Sequence, residues 1–250
     1  MTADTASGPL VDPDSVPDWL APLVTGTQRV DFSMFRRRAE PDESARHAAV
    51  LMLFGLDGTG PGTGPDVLLL RRADTLDSHP GQVAFPGGGA EPADGGPVGT
   101  ALREAVEEVG LDPAGVRPVA LLPRLMVPVS GFQVTPVLAH WERPSAIRAV
   151  DPAETAAVAR VPVAHLLDPA NRIRVVGPRN GYVSPAFLAP GMLIWGFTAG
   201  VLTVLLGAAG WDKPWDDTPQ HDLDSAWRAA MDREWPADGN LPPADAEVQR

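Results

Sequence analysis

The chain has 250 residues, enough to bury one substantial core, and carries 20 Lys and Arg against 32 Asp and Glu, a net charge of −12. That acidity argues against a general nucleic-acid binder, which needs clustered basic side chains, but it leaves room for a phosphorylated small molecule held through metal ions and a few arginines. Without a cysteine there is no disulfide, thiolate metal site or cysteine nucleophile, a composition that fits a reducing cytoplasm, and Met1 to Pro13 lack the basic start and apolar core of a secretory signal.

Residues 1–45 are rich in Pro, Asp and Ala and read as an extension, with one short helix around Asp18 to Val24 that docks by Trp19 and Leu20. The basic cluster Arg36, Arg37 and Arg38 is weighed as a substrate patch against a solvated turn, and the turn is favoured. His47 to Phe54 and Val67 to Leu70 are apolar runs of strand length. The glycine-rich segment Asp57 to Asp66 between them lacks the Gly-Lys-Ser/Thr ending of a P-loop and reads as a hairpin loop.

The stretch Phe85 to Leu111 is the most informative. It reads as a strand end, a glycine loop and a short acidic helix. Ala101, Leu102, Ala105, Val106 and Val109 recur at helical spacing, Pro97 suits the first turn and Gly110 the C-terminal cap. Glu104, Glu107 and Glu108 stand at i, i+3 and i+4, so their carboxylates project from one side of the helix. Such a face is either a solvated surface or a site for a hard cation, and oxygen ligands suit Mg2+ or Mn2+. Arg103 can orient Glu107 one turn on, an exposed pairing that contributes about 0.3–0.5 kcal/mol. Gly87, Gly88 and Gly89 allow a carbonyl or amide to approach an ion or phosphate closely.

Further along, Val119 to Leu122 and Phe132 to His140 read as strands. Arg172, Arg174 and Arg179 lie on or near a hairpin and are weighed as phosphate contacts against a solvent-facing row, which is favoured for alternating arginines on a strand. Met192 to Gly210 carries no charge, but its glycines and threonines weaken a transmembrane reading, and a buried strand Leu193 to Trp195 followed by a core helix Thr198 to Leu206 fits better. The tail from Ala208 to Arg250 holds ten acidic and four basic residues, a net −6, with Trp211, Trp215, Trp227 and Trp235. Packing on the domain, packing on a second subunit and partial disorder all remain open for it. The five histidines have no zinc spacing; His79 stands apart because it adjoins the glycine loop.

Arg103-Glu104-Ala105-Val106-Glu107-Glu108-Val109-Gly110-Leu111 resembles the helical half of the Nudix box, a motif that binds divalent metal for hydrolysis of a diphosphate linked to another moiety. The family's pattern expects a glutamate eight residues before the arginine; here that position is Gly95, with Asp94 and Glu91 beside it. This departure is similar to the coenzyme A pyrophosphatase branch, whose loop matches Gly87, Gly88, Glu91 and Asp94. Leu68 to Ala73, Leu76, His79, Gly81 to Val83 and Phe85 to Gly88 are similar to the upstream signature of that branch, with Leu70 where threonine is usual and Asp77 where arginine is usual. Val127 to Phe132, Asp151 to Glu154 and Ile194 to Ala199 also resemble it.

The resemblance spans residues 46–207 and divides the chain into an N-terminal extension, 1–45, a Nudix domain, 46–207, and an acidic tail, 208–250. It implies an α/β (α+β) fold, an α/β/α sandwich with a mixed β-sheet. It implies Mg2+ or Mn2+ bound by Glu104, Glu107, Glu108 and a backbone carbonyl near Gly88, with Glu104 or Glu154 as the catalytic proton acceptor and Arg103 as an orienting residue. Arg71, Arg72, His79, Gln82 and Ser130 are the expected substrate contacts, Arg71 and Arg72 being the nearest candidates for the 3′-phosphate. The implied reaction splits the diphosphate of coenzyme A or an acyl derivative into adenosine 3′,5′-bisphosphate and 4′-phosphopantetheine. Asp77 leaves room for ADP-ribose, NADH or a nucleoside triphosphate as substrate, and a non-catalytic binding protein of this fold is the reading from another class. The partner expected is a small-molecule diphosphate in the cytoplasm, without nucleic acid or membrane, and a homodimer is left open.

Overall fold

The computed structural model describes residues 7–33, 45–56, 64–127, 131–177 and 181–234. Arg36 to Arg38, Ser130, Arg179, Trp235 and most of the glycine segment after Leu56 lie outside the described residues.

In chain order the elements are β1 (Gly8–Pro9), α1 (Ala21–Gly26), β2 (Arg46–Leu56), β3 (Pro65–Arg72), β4 (Val83–Ala84), β5 (Gly87–Gly89) and α2 (Pro97–Val109). There follow β6 (Val116–Leu121), β7 (Leu125–Val127), β8 (Phe132–Trp141), β9 (Thr155–Pro162) and α3 (Val163–Leu167). The remainder comprises β10 (Arg172–Val176), β11 (Val183–Ala189), β12 (Met192–Trp195), α4 (Gly196–Ala208), β13 (Gln220–Asp222) and α5 (Leu223–Met231).

β2 is apolar along most of its length because both of its faces are covered. Ala49, Leu51 and Leu53 pack with Ala101, Ala105 and Val109 of α2. Their neighbours Met52 and Phe54 pack on the other side with Leu20, Leu23 and Val24 from the α1 region and Val201, Leu202 and Leu205 of α4. Alternation along one strand thus fills two cores, and the result is an α/β/α sandwich. The sheet between the helices is mixed: β1, β6, β8, β2, β3 and β4 lie in that order, with β2 and β8 parallel and the other pairs antiparallel. β5 pairs with β2, β7 with β8 and β9 with β3.

Residues 7–33 share the main core. β1 pairs with β6, and Val16, Leu20, Leu23, Val24 and Phe32 are buried in the cluster that holds Phe54 and Phe187. The first helix begins at Ala21, three residues after the expected start. In α2, Pro97 and the left-handed Gly110 take the expected end positions, but Val106 lies off the buried stripe and is exposed.

A second sheet, β12-β11-β10-β13, contains the expected hairpin as the antiparallel pair β10–β11, and β13 joins it parallel to β10. Arg172 corrects the expectation of solvent-facing arginines. It is 5% exposed, ion-paired with Asp212, and its guanidinium lies between Phe187 at 5.6 Å and Trp215 at 4.9 Å. Residues beyond 208 therefore supply partners to a cation buried in the sheet. Ala226 and Ala230 of α5 pack on Val175, Ala186, Leu188 and Leu193 of the same sheet. Arg233 donates to Asn171 at 2.5 Å, and Asn171 donates to the His165 carbonyl at 3.0 Å, so His165 belongs to the packing rather than to a metal site.

The uncharged run Met192 to Gly210 divides into β12 and α4, and Thr198 of α4 donates to the Val83 carbonyl at 2.9 Å. No helix among the described residues is long and apolar enough to cross a membrane.

Candidate active site

The site is built where β5 lies against both β2 and α2. Gly87 pairs opposite Val50, and a Cβ there would stand 2.3 Å from the Ala49 carbonyl oxygen, so only glycine admits this approach. The same residue donates its backbone N–H to Glu108 Oε2 at 2.9 Å. A Cβ on Gly88 would stand 2.5 Å from Glu104 Oε1. The glycine strand therefore sits directly against two of the three helix carboxylates.

Arg103 organises the surrounding charge. Its Nε donates to Asp94 Oδ1 at 2.8 Å, Nη1 to Glu107 Oε2 at 2.9 Å and Nη2 to the Gly89 carbonyl at 2.8 Å, with Glu104 Oε1 3.0 Å from Nη2. Asp94 also accepts from the Glu91 N–H and the Thr100 hydroxyl, each at 2.8 Å. The Arg103 hydrogen bond, followed by the other two donors, holds the Asp94 carboxyl well below the usual carboxylate range. Asp94 thus supplies a carboxylate beside the position where the family pattern has glutamate and this chain has Gly95. It was absent from the expected site residues. The sequence signal was the departure at Gly95 with an acidic neighbour, but only the fold shows that neighbour reaching Arg103.

Burial pushes the Glu108 carboxyl up to about 7; the Gly87 N–H and the Arg72 charge oppose the rise, while Glu104 and Glu154 add to it. Burial likewise raises Glu104, against the pull of Arg103. Glu107 is largely exposed and turned to Arg103. Glu154 is exposed, and its carbonyl accepts the Ala73 N–H at 2.8 Å, which fixes it at the end of β3, where its charge acts on Glu108.

The strand's alternation separates the two expected arginines. Leu68 and Leu70 face α2 and Val67 and Leu69 the opposite core, so Arg72 follows the α2 side and Arg71 the other. Arg71 is engaged by Asp74 through contacts of 2.8 and 3.0 Å. Arg72 acts on Glu108, its Nη2 lies 3.5 Å from the Ser78 carbonyl, and its Nε is buried without a hydrogen-bond partner among the described residues. Gln82 accepts the Arg72 N–H through its carbonyl at 3.0 Å, and its side chain lies 3.0 Å from His79 Nδ1. His79 holds this place with a φ of 55°, an uncommon conformation for a residue with a side chain. Arg72, His79, Gln82, Glu104, Glu108 and Glu154 are thus brought together, Arg71 is turned away, and Ser130 is outside the described residues.

Among the described residues no three acidic, histidine or cysteine side chains form a ready-made metal cluster. The donor set nevertheless fits a hard divalent cation. Glu104 and Glu154 destabilise the ionised form of half-buried Glu108, so the site carries an excess of negative charge that such an ion offsets, and all the donors are oxygens.

The NUDIX domain family matches residues 40–176. Among curated relatives, the uncharacterized Nudix hydrolase NudL of Enterobacter sp. (strain 638) is 33% identical over 176 residues, covering 70% of this chain and 88% of the relative. Its counterpart of the same description in Cronobacter sakazakii is 38% identical over 152 residues, covering 60% and 78%. Among solved structures, a NUDIX hydrolase from Alicyclobacillus acidocaldarius is similar with a TM-score of 0.41 and 25% identity, over 52% of this chain and 83% of that one.

Proposed function

The chain belongs to the Nudix family and is a Nudix hydrolase, and from that premise we propose that it cleaves the diphosphate of coenzyme A or an acyl-coenzyme A in a reaction dependent on Mg2+ or Mn2+. The observation that carries the reading is the gathering of Glu104, Glu154 and Arg72 about Glu108, which the glycine strand holds through the Gly87 N–H. Its substrate rests on the upstream resemblance, whose Arg72, His79 and Gln82 stand together next to those carboxylates.

Glu104, Glu107 and Glu108, with a carbonyl near Gly88, are the groups that would hold the metal. When bound, a divalent ion supplies neutralisation of the diphosphate oxygens and acidifies the attacking water. Gly87 orients Glu108 through its N–H, and Arg103 orients Glu104 and Glu107 while Asp94 holds Arg103. Arg72 adds positive charge on the substrate side. Water attacks one phosphorus, the bridging P–O bond breaks, and the proton lost by water passes to a carboxylate. Glu104 is engaged by the Arg103 guanidinium and stands among the groups that would hold the metal, so the exposed Glu154 is our choice for that acceptor. Glu154→Gln is expected to lower kcat by about 10²-fold or more, with Mn2+ affinity changed much less; an unchanged kcat sinks the assignment.

The test of the substrate is incubation with Mg2+ or Mn2+ and a panel of coenzyme A, dephospho-coenzyme A, ADP-ribose, NADH and nucleoside triphosphates, with products identified by mass spectrometry. Adenosine 3′,5′-bisphosphate and 4′-phosphopantetheine from coenzyme A are expected. Cleavage of another member alone replaces the substrate, and no cleavage with either metal favours a binding protein.

A further inference from the structure

Glu154 owes its place to a junction with β3 rather than to the regular ladder of β9. Arg71 pairs opposite Ala157 and Arg72 opposite Thr155, so the register breaks between the two arginines and Ala156 is the extra residue. A bulge of this kind bends its strand and interrupts the register along it. Beyond the break, the Ala73 N–H donates to the Glu154 carbonyl at 2.8 Å. The turn that carries Glu154 is closed on itself, because the Glu154 and Thr155 N–H groups both donate to the Asp151 carbonyl, at 3.0 and 2.9 Å. The position of Glu154 therefore follows that of Ala73.

Ala73 is buried and stands between Arg71 and Asp74, whose side chains meet on the face of β3 turned away from Glu108. Arg71 Nη1 lies 2.8 Å from Asp74 Oδ1 and 3.0 Å from Oδ2, a contact between positions i and i+3 that fixes the bend of the chain around Ala73. Gly81 leaves room for the carboxylate from across the loop: a Cβ there would stand 2.6 Å from Asp74 Oδ1, and the Gly81 N–H reaches the Ala73 carbonyl at 3.4 Å. The loop from β3 to β4 is thus fastened at the residue that holds Glu154. An ion pair with one exposed member contributes little to global stability, so its effect belongs to local geometry.

We propose that Arg71 and Asp74 are positioning residues for the hydrolysis: they hold Ala73, and through its N–H the proton acceptor Glu154, in register with Glu108. The proposal rests on the assignment of Glu154 as that acceptor. Arg71 thereby leaves the set of expected substrate contacts and acts through the backbone instead.

The test measures kcat and KM with coenzyme A, or with whichever member of the panel is cleaved in its place, in the wild type, Arg71→Ala, Asp74→Ala and Asp74→Asn. Arg71→Ala and Asp74→Ala are each expected to lower kcat about tenfold with KM little changed, because a small displacement of a catalytic group is costly. Asp74→Asn, which keeps one acceptor oxygen for Arg71, is expected to recover part of that loss. In a Glu154→Gln background, Asp74→Ala is expected to cost nothing further, since the group it positions is gone. An unchanged kcat in Asp74→Ala, or the same tenfold loss in both backgrounds, overturns the proposal. Hydrogen exchange at the Ala73 amide gives a readout independent of turnover, and it is expected to be faster in Asp74→Ala than in the wild type. Unchanged exchange there also overturns the proposal. If that exchange is faster but Glu154→Gln keeps the kcat of the wild type, the tie from Arg71 and Asp74 to Glu154 stands and the assignment of Glu154 as acceptor falls.

Discussion

Glu108 combines two demands that conflict in the absence of a cation. Its carboxyl must be ionised to act as a metal ligand, yet it is half-buried and flanked by the charges of Glu104 and Glu154. The folded protein consequently holds this proton more tightly than the unfolded chain does. The corresponding stabilisation is fully present below the ordinary carboxyl value of 4.5 and is lost as pH rises through about 7. In EDTA, the wild type is expected to lose stability across that window, and Glu108→Gln, which cannot ionise, is expected to show a smaller loss. Thermal denaturation at a series of pH values checks this, and identical slopes would contradict it. With Mg2+ or Mn2+ present, Glu108→Gln is expected to reduce turnover by at least about 10²-fold while remaining folded. Wild-type-like turnover by that variant would remove Glu108 from the machinery.

At the scale of elements, the glycine strand and the box helix act as one unit, and adjacent glycines have separable duties. Gly87 meets backbone: an added Cβ would stand 2.3 Å from the Ala49 carbonyl and 2.6 Å from Val50 Cα, atoms that cannot move without shifting β2. Gly88 meets the end of a side chain, the Glu104 carboxyl, which can rotate aside. Gly87→Ala is therefore expected to cost stability, by about 1–3 kcal/mol or more, together with activity. Gly88→Ala is expected to leave the melting temperature near that of the wild type and to lower activity by displacing Glu104. Chemical denaturation and turnover measured on both variants distinguish them; equal loss of stability would count against this division. The helix itself was legible because Pro97, the apolar spacing and Gly110 are local signals. Val106 shares the apolar spacing yet is exposed, because spacing along a helix does not show which of its apolar positions a neighbouring element covers.

For the whole molecule, the segments outside residues 46–207 matter to packing. Leu20, Leu23 and Val24 are fully buried with the central strands, and Asp212 and Trp215 enclose Arg172 in the second sheet. Truncation after residue 207 leaves that buried cation without its carboxylate and uncovers the apolar face on which Ala226 and Ala230 pack. The truncated chain is expected to melt at least several degrees lower, or to fail to fold, and Leu23→Ala in the full chain is expected to cost about 2–5 kcal/mol. Calorimetry on both checks this, and a truncated chain as stable as the full one would show that residues 208–234 are a dispensable appendage.

The sequence by itself determined the strand–glycine–helix unit, the register of Glu104, Glu107 and Glu108, and the strands at β2, β3 and β8, because these depend on local periodicity and on residue types at fixed spacing. Only the tertiary structure decided which of two neighbouring arginines faces the carboxylates, that Asp94 holds Arg103, that Arg172 is buried, and that Arg46 lies on Phe132. Each of these depends on which segment covers a given side chain. Covering partners come from far along the chain, as Asp212 does for Arg172 and Phe132 for Arg46, and no local pattern in a sequence specifies them.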